Sequence, residues 1–294
     1  MTPSGAHPLR GIALMVAAGA SFAVLDSMAK TLSATYPTPM VAWARYVFHV
    51  LVMLLVLWPR MGRRLLATRR PARQVARGLC LGASSLCFFG ALAHMPLAEA
   101  TSIVAVGPIL VTLAAVLWLG ERAPPGTAWS LALSFAGVLL IVRPGSALFG
   151  WAAALPLATA VFGAAYQLLT RQLTGVDDGV TTLFLGGVVA TTLLCLIVPF
   201  YWVTPRAWLD GVLFVATGIV GAAGHLMLVR AYEHAPVSVL APYGYAHTVA
   251  ALPLGWFVFG NFPDRAALAG MALIVSTGVW MAWRRRLPVA PVED

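Results

Sequence analysis

Long apolar runs, each closed by a short polar or Gly/Pro-containing stretch, recur ten times along the chain. They cover 9–31, 39–58, 76–94, 97–119, 125–142, 150–172, 180–200, 208–230, 237–259 and 266–284. About 20 apolar residues is the length a helix needs to cross a bilayer, so each run predicts a membrane-spanning helix. The short alternating segments of a β-barrel are missing. The connections are too short to hold an extramembrane domain, and the longest, 59–75, is rich in arginine. The first run is longer than the apolar part of a signal peptide, contains Asp26 and Lys30, and lacks a small-x-small cleavage site after it. It is read as the first span.

A second regularity has a period of 140 residues. Phe22-Ala23-Val24-Leu25 aligns with Phe162-Gly163-Ala164-Ala165, Ala93-His94-Met95-Pro96-Leu97 with Glu233-His234-Ala235-Pro236-Val237, and Leu119-Gly120-Glu121 with Phe259-Gly260-Asn261, all without a gap. The chain therefore divides into two five-span repeats, 1–145 and 146–294. Because five is odd, the second repeat must enter the membrane from the opposite side. The predicted fold is an all-α integral membrane protein, ten transmembrane helices as two inverted five-helix repeats around a central cavity, an arrangement typical of alternating-access carriers.

Composition agrees with a membrane protein: 60% of residues are hydrophobic and 10% charged, too few charges to surface a soluble domain of this size. The net charge of +9 does not call for nucleic acid. With the N-terminus cytoplasmic, 14 Lys and Arg residues fall inside and 4 outside, Arg45 lying within a span, as the positive-inside rule expects. Both termini are accordingly placed in the cytoplasm. Cys80, Cys87 and Cys195 all lie in spans and imply neither a disulfide nor a metal site.

Polar residues within hydrocarbon are costly and mark functional candidates. Three pairs related by the 140-residue offset carry polarity at mid-span: Asp26 with Tyr166, Ser85 with His225, and Gly107 with His247. Asp26 and Lys30, four apart with the acid first, have the geometry of an intrahelical ion pair; alternatively, Asp26 binds an ammonium group or cycles a proton while Lys30 snorkels outward. His49 reads as structural. Gly107-Pro108 falls inside span 4 and Pro242 one turn into span 9, where proline bends a helix and frees carbonyls; Pro253 is expected to interrupt span 9 again. Phe22, Phe89, Tyr166, Tyr243 and Tyr245 lie deep in their spans, so the candidate substrate site comprises Phe22, Asp26, Ser85, Phe89, Tyr166, His225, Tyr243, Tyr245 and His247, with Gly107, Pro108 and Pro242 as helix breaks or gates. Trp58, Trp118, Trp151, Trp202 and Trp208 near span ends fit an interfacial belt. No P-loop, catalytic constellation or metal spacing is present, which argues against an ATP-driven pump or an enzyme. Spans 4, 5, 9 and 10 carry no internal Lys or Arg, arguing against phosphorylated cargo.

Ten spans in two halves, Pro-Leu-Ala-Glu-Ala at 96–100, Gly-Glu at 120–121 and the glycine-and-leucine pattern from Ser130 to Val142 resemble the EamA family of the drug/metabolite transporter superfamily. Asn261 stands where that family often repeats the Glu of position 121. The resemblance, nearest to the YddG-type exporters, implies a secondary carrier exporting aromatic or other hydrophobic amino acids across the bacterial inner membrane; the alternative is another small metabolite or drug. No cofactor is expected. The partners are a small-molecule substrate and the lipid bilayer, without nucleic acid, and a monomer is compatible with the sequence.

Overall fold

The computed structural model describes residues 8–119, 126–143, 151–173, 175–234 and 240–284. Its regular structure is helical: α1 (Pro8–Ser33), α2 (Thr38–Met61), α3 (Pro71–His94), α4 (Leu97–Val104), α5 (Gly107–Leu119), α6 (Thr127–Val142), α7 (Ala154–Leu173), α8 (Gly179–Ile197), α9 (Trp208–His234), α10 (Ala246–Phe259) and α11 (Arg265–Arg284). Among the described residues seven helical stretches are long and apolar enough to cross a membrane, and Ala128–Val142 and Arg265–Trp280 are shorter apolar helices. The protein is a multi-pass membrane protein. Large apolar side chains such as Leu55, Phe200 and Phe257 stay exposed on its outer surface, as a lipid-facing surface requires. Trp58, Trp118, Trp151, Trp202 and Trp208 are exposed as well.

Span 4 is two helices. α4 ends at Val104, the Ala105 amide turns back onto the Thr101 and Ser102 carbonyls, and α5 restarts at Gly107. Pro108 is the second residue of α5, where a missing N–H leaves no helical bond unmade. On the other side, a 3-10 turn at Ala241–Tyr245, carrying Pro242, leads into α10. The expected second interruption at Pro253 does not occur: α10 runs through it unbroken, as membrane helices often do when neighbours take up the freed backbone groups. α3 begins at Pro71 instead of 76, so Arg77 lies two turns into the helix instead of at its edge, and it is buried. Asp178 caps α8, accepting from the Val180 and Thr181 amides at 2.9 and 3.0 Å.

The packing has an internal pseudosymmetry. α1 lies against α9 and α10, and α7 lies against α3 and α5; α2 touches α9 and α8, and α8 touches α3 and α2. Exchanging α1 with α7, α2 with α8 and α3 with α9 maps these neighbours onto one another. Glycines mark the tightest crossings. Gly78 of α3 sits against Val189 of α8, and Gly218 of α9, 140 residues later, sits against Phe48 and the His49 amide of α2. α6 and α11 cross backbone to backbone, Gly137 against the Gly270 carbonyl and Gly270 against that of Gly137. The main buried cluster runs through the centre, with Leu25, Met40, Tyr46, Phe89 and Ile103 among its members.

Candidate functional site

Three polar groupings occupy the interior. The first joins α1, α9 and α10. Asp26 of α1 and His247, the second residue of α10, meet at 2.6 Å between Oδ2 and Nε2, with the carboxylate 7% and the imidazole 25% exposed. Gly19, one helical stretch earlier on α1, leaves room for the His247 amide: a Cβ there would stand 2.8 Å from it. The Phe22 ring lies edge-on between two imidazoles, 4.8 Å from His225 and 6.3 Å from His247. His225 in turn stands 5.6 Å from His49, whose ring reaches the gap above Gly187 of α8 and Gly221 of α9.

The second grouping joins α2 and α3. Arg45 Nη1 donates to Ser85 Oγ at 2.7 Å, and Tyr46 Oη and Ser85 Oγ share a 2.6 Å bond. The guanidinium lies 4.9 Å from the Tyr46 ring centre and 5.5 Å from that of Phe89. Its Nε has no partner.

The third grouping ties α3 to α7 and α8. Arg77 donates from Nε to Thr170 Oγ1 (2.7 Å), from Nη1 to the Thr182 carbonyl (2.7 Å) and from Nη2 to Tyr166 Oη (2.6 Å), and lies 4.3 Å from the Tyr166 ring centre. Gln74, one turn earlier, donates to Asp177 and Thr182. Asp177, on the connection into α8, also accepts from Thr68 Oγ1 and the Arg69 amide. Partial burial pushes its pKa up, but these donors together hold it below the usual carboxylate range. Ser84 and Thr159 exchange side-chain to carbonyl bonds higher along the same α3–α7 contact.

Asp26 and Lys30 do not form the intrahelical pair that their spacing permits. Lys30 Nζ donates to the Leu92 and Met95 carbonyls, both at 2.7 Å. These groups belong to the C-terminal end of α3, where carbonyls lack helical partners, and they satisfy an ammonium without removing Asp26 from His247.

Of the residues singled out from the sequence, Phe22, Asp26, His225 and His247 come together in one cluster. Ser85 and Phe89 meet around Arg45, and Tyr166 joins Arg77. Tyr243 is exposed, and Tyr245 turns toward Gly278 of α11 with its hydroxyl unpartnered. Gly107 has open space around it; the side chains of Pro108 and Pro242 lie outside the described residues. Sequence reasoning underweighted Arg45 and Arg77. Arg45 was visible as a charge inside a span, and Arg77 as one just inside the edge of another. Interior cations therefore come from α2 and α3, a source that the lack of Lys and Arg in spans 4, 5, 9 and 10 does not touch.

The EamA-like transporter family pattern matches residues 9–143. The pseudopaline exporter CntI of Pseudomonas aeruginosa is 30% identical, over 90% of this chain and 93% of that protein. This chain belongs to the EamA-like transporter family. A riboflavin transporter of Rhizobium johnstonii is 29% identical over 92% of this chain and 90% of its own length. An S-adenosylmethionine uptake transporter of Rickettsia felis is 24% identical, over 95% and 94%. A solved crystal structure, 22% identical, covers 94% of this chain and 99% of its own with a TM-score of 0.64, which supports the fold alone. As an EamA-like protein, the chain is a transporter and not an enzyme.

Proposed function

We propose that the protein is a secondary carrier whose halves, 1–145 and 146–294, are inverted five-helix repeats that rock about a central site and export a small, partly apolar metabolite across the bacterial inner membrane. The carrying observation is the convergence of polar side chains from α1, α2, α3, α9 and α10 at membrane depth: Asp26 with His247, His225 with His49, and Arg45 with Ser85. Hydrocarbon penalises such groups, and in carriers they gather where the repeats meet. The exchange of neighbours between α1 and α7, α2 and α8, and α3 and α9 supports the inverted repeat, and the 14-to-4 charge bias supports cytoplasmic termini.

In this reading Phe22, Phe89 and His225 face the apolar part of the cargo, Ser85 its polar end, and the Asp26–His247 pair holds α1 to α10 while the site is occluded. Tyr166 belongs to the Arg77 cross-link. Tyr243 and Tyr245 stand apart from this cluster and receive no role in binding. The restart at Gly107-Pro108 and the turn containing Pro242 supply the backbone joints that let α5 and α10 change angle. The names of the relatives, which refer to pseudopaline, riboflavin and S-adenosylmethionine, favour a metabolite over an aromatic amino acid as cargo. Aromatic amino acids are the second reading, supported by the rings of Phe22 and Phe89 beside Arg45 and Asp26.

Counterflow in proteoliposomes at equal pH on both sides separates the two. The expected result is exchange supported by a flavin, an adenosyl compound or another metabolite set. Exchange supported by aromatic amino acids alone selects the second reading, and no exchange with correctly inserted protein refutes the carrier assignment of this site.

A further inference from the structure

We infer that the cargo enters the site as a carboxylate and that Arg45 is the cation that receives it. The inference rests on the carrier reading above and adds the chemical class of the cargo.

Arg45 stands on the third turn of α2, partly buried, beside the buried residues Tyr46 and His49. Among the described residues, carboxylates lie within 4 Å of a basic group only at Arg143–Asp264 and Asp26–His247. Neither involves Arg45. Asp26, the interior acid nearest in role, is already bonded to His247. Arg77, the other interior guanidinium, gives three bonds to neutral oxygens and is closed off by them. Arg45 gives one bond, to Ser85 Oγ, and its Nε gives none. A guanidinium carries five N–H donors, so most of its hydrogen-bonding capacity is uncommitted, and its charge meets only the Tyr46 and Phe89 rings and no anion.

An unpaired charge at membrane depth is strongly disfavoured, and packing gives no reason for it. The Tyr46 and Phe89 rings attract the cation but do not neutralise it. An anion resolves the imbalance: a carboxylate accepts two parallel bonds from one guanidinium. The groups around Arg45 match the rest of such a molecule, with the Phe89 ring for an apolar part and the Ser85 and Tyr46 hydroxyls at the polar end. A dianionic phosphate would call for a second free cation, and Arg77 is not free.

The test uses wild type, Arg45→Gln and Arg45→Lys in proteoliposomes, each shown to be inserted and monodisperse before reconstitution. Vesicles are loaded with a mixture of small aromatic and aliphatic carboxylic acids, or with the corresponding primary amides, and efflux above protein-free vesicles is followed by mass spectrometry. Wild type is expected to release acids at least tenfold faster than amides; Arg45→Gln loses this preference and Arg45→Lys keeps part of it. Equal release of acids and amides by wild type, or an undiminished preference in Arg45→Gln, overturns the inference. Release of neither set while riboflavin or adenosine, which carry no carboxylate, does leave overturns the carboxylate assignment and spares the carrier. No release of any compound strikes the carrier reading itself.

Discussion

Asp26 in α1 and Tyr166 in α7 stand 140 residues apart at equivalent places, yet they face opposite partners. Asp26 reaches α10, where His247 meets it. At the position equivalent to His247 the other half has Gly107, with nothing to offer, and Tyr166 turns to Arg77 of α3 instead. The helix scaffold is pseudosymmetric, but its polar cross-links are not: one joins α1 to α10, the other α3 to α7 and α8. Two halves held by different bonds need not release under the same conditions, which is useful to a carrier that must open one side at a time.

The strongest way to break this comparison is to remove one member of each equivalent position. His247→Ala leaves Asp26 buried without its partner and is expected to cost about 3–5 kcal/mol, whereas Gly107→Ala, with open space at its Cβ, should stay within about 0.5 kcal/mol. Thermal unfolding in detergent micelles checks both, and similar losses at the two sites would sink the asymmetry. Next come the glycines at equivalent crossings. An added methyl at Gly218 meets the His49 backbone, while at Gly78 it meets chiefly the Val189 side chain. Both Gly→Ala changes overpack, by about 1–3 kcal/mol, and the Gly218 variant should be the less stable because backbone yields less readily than a side chain. A reversed order would show that the α2–α9 crossing is the looser one. Arg77→Met removes three interhelical hydrogen bonds at roughly 0.6 kcal/mol each, so a loss of about 2 kcal/mol is expected, together with greater reagent access to a cysteine introduced near Thr170. Unchanged access would mean that the cross-link does not hold α7 against α3.

The smallest effect belongs to Asp177. Its pKa is depressed in the folded protein, so its stabilising contribution is present above the unfolded carboxylate range and is lost as pH falls through the folded value. Asp177→Asn should flatten the acid side of the stability profile by lowering stability at neutral pH while leaving it nearly unchanged at the acid end; an unchanged acid slope would argue that these hydrogen bonds form equally in the unfolded chain.

Much of the scaffold could be read from the residues. Uninterrupted apolar runs mark the helices, Gly107-Pro108 marks a real break, and the 140-residue offset anticipates that α3 and α9 play matching parts. Pro253 misled because a proline's effect depends on what surrounds the freed carbonyl, which a single sequence does not state. The site was half legible. Phe22, Asp26, His225 and His247 stood out as polar or aromatic groups in hydrocarbon, and they meet. Lys30 was harder: its i, i+4 relation to Asp26 is local, while the carbonyls at Leu92 and Met95 that win it lie more than 60 residues away. Arg45 was visible but lacked a visible partner, since Ser85 comes from another helix. Arg77 was counted among the arginines that orient the chain, at the edge of its span, and the earlier start of α3 moves it deeper.

The crossing of α6 and α11 has a mechanical side. Gly137 and Gly270 each face the other's carbonyl, flanked by the side chains of Ile141 and Ile274, so the surfaces are smooth at the crossing point itself. Such a joint resists being pulled apart, because many close contacts would be lost at once, but offers little to catch when one helix swivels on the other. If the halves of this protein turn against each other, this is their fulcrum, and a cross-link there would hold the hinge pin while leaving the leaves free to swing.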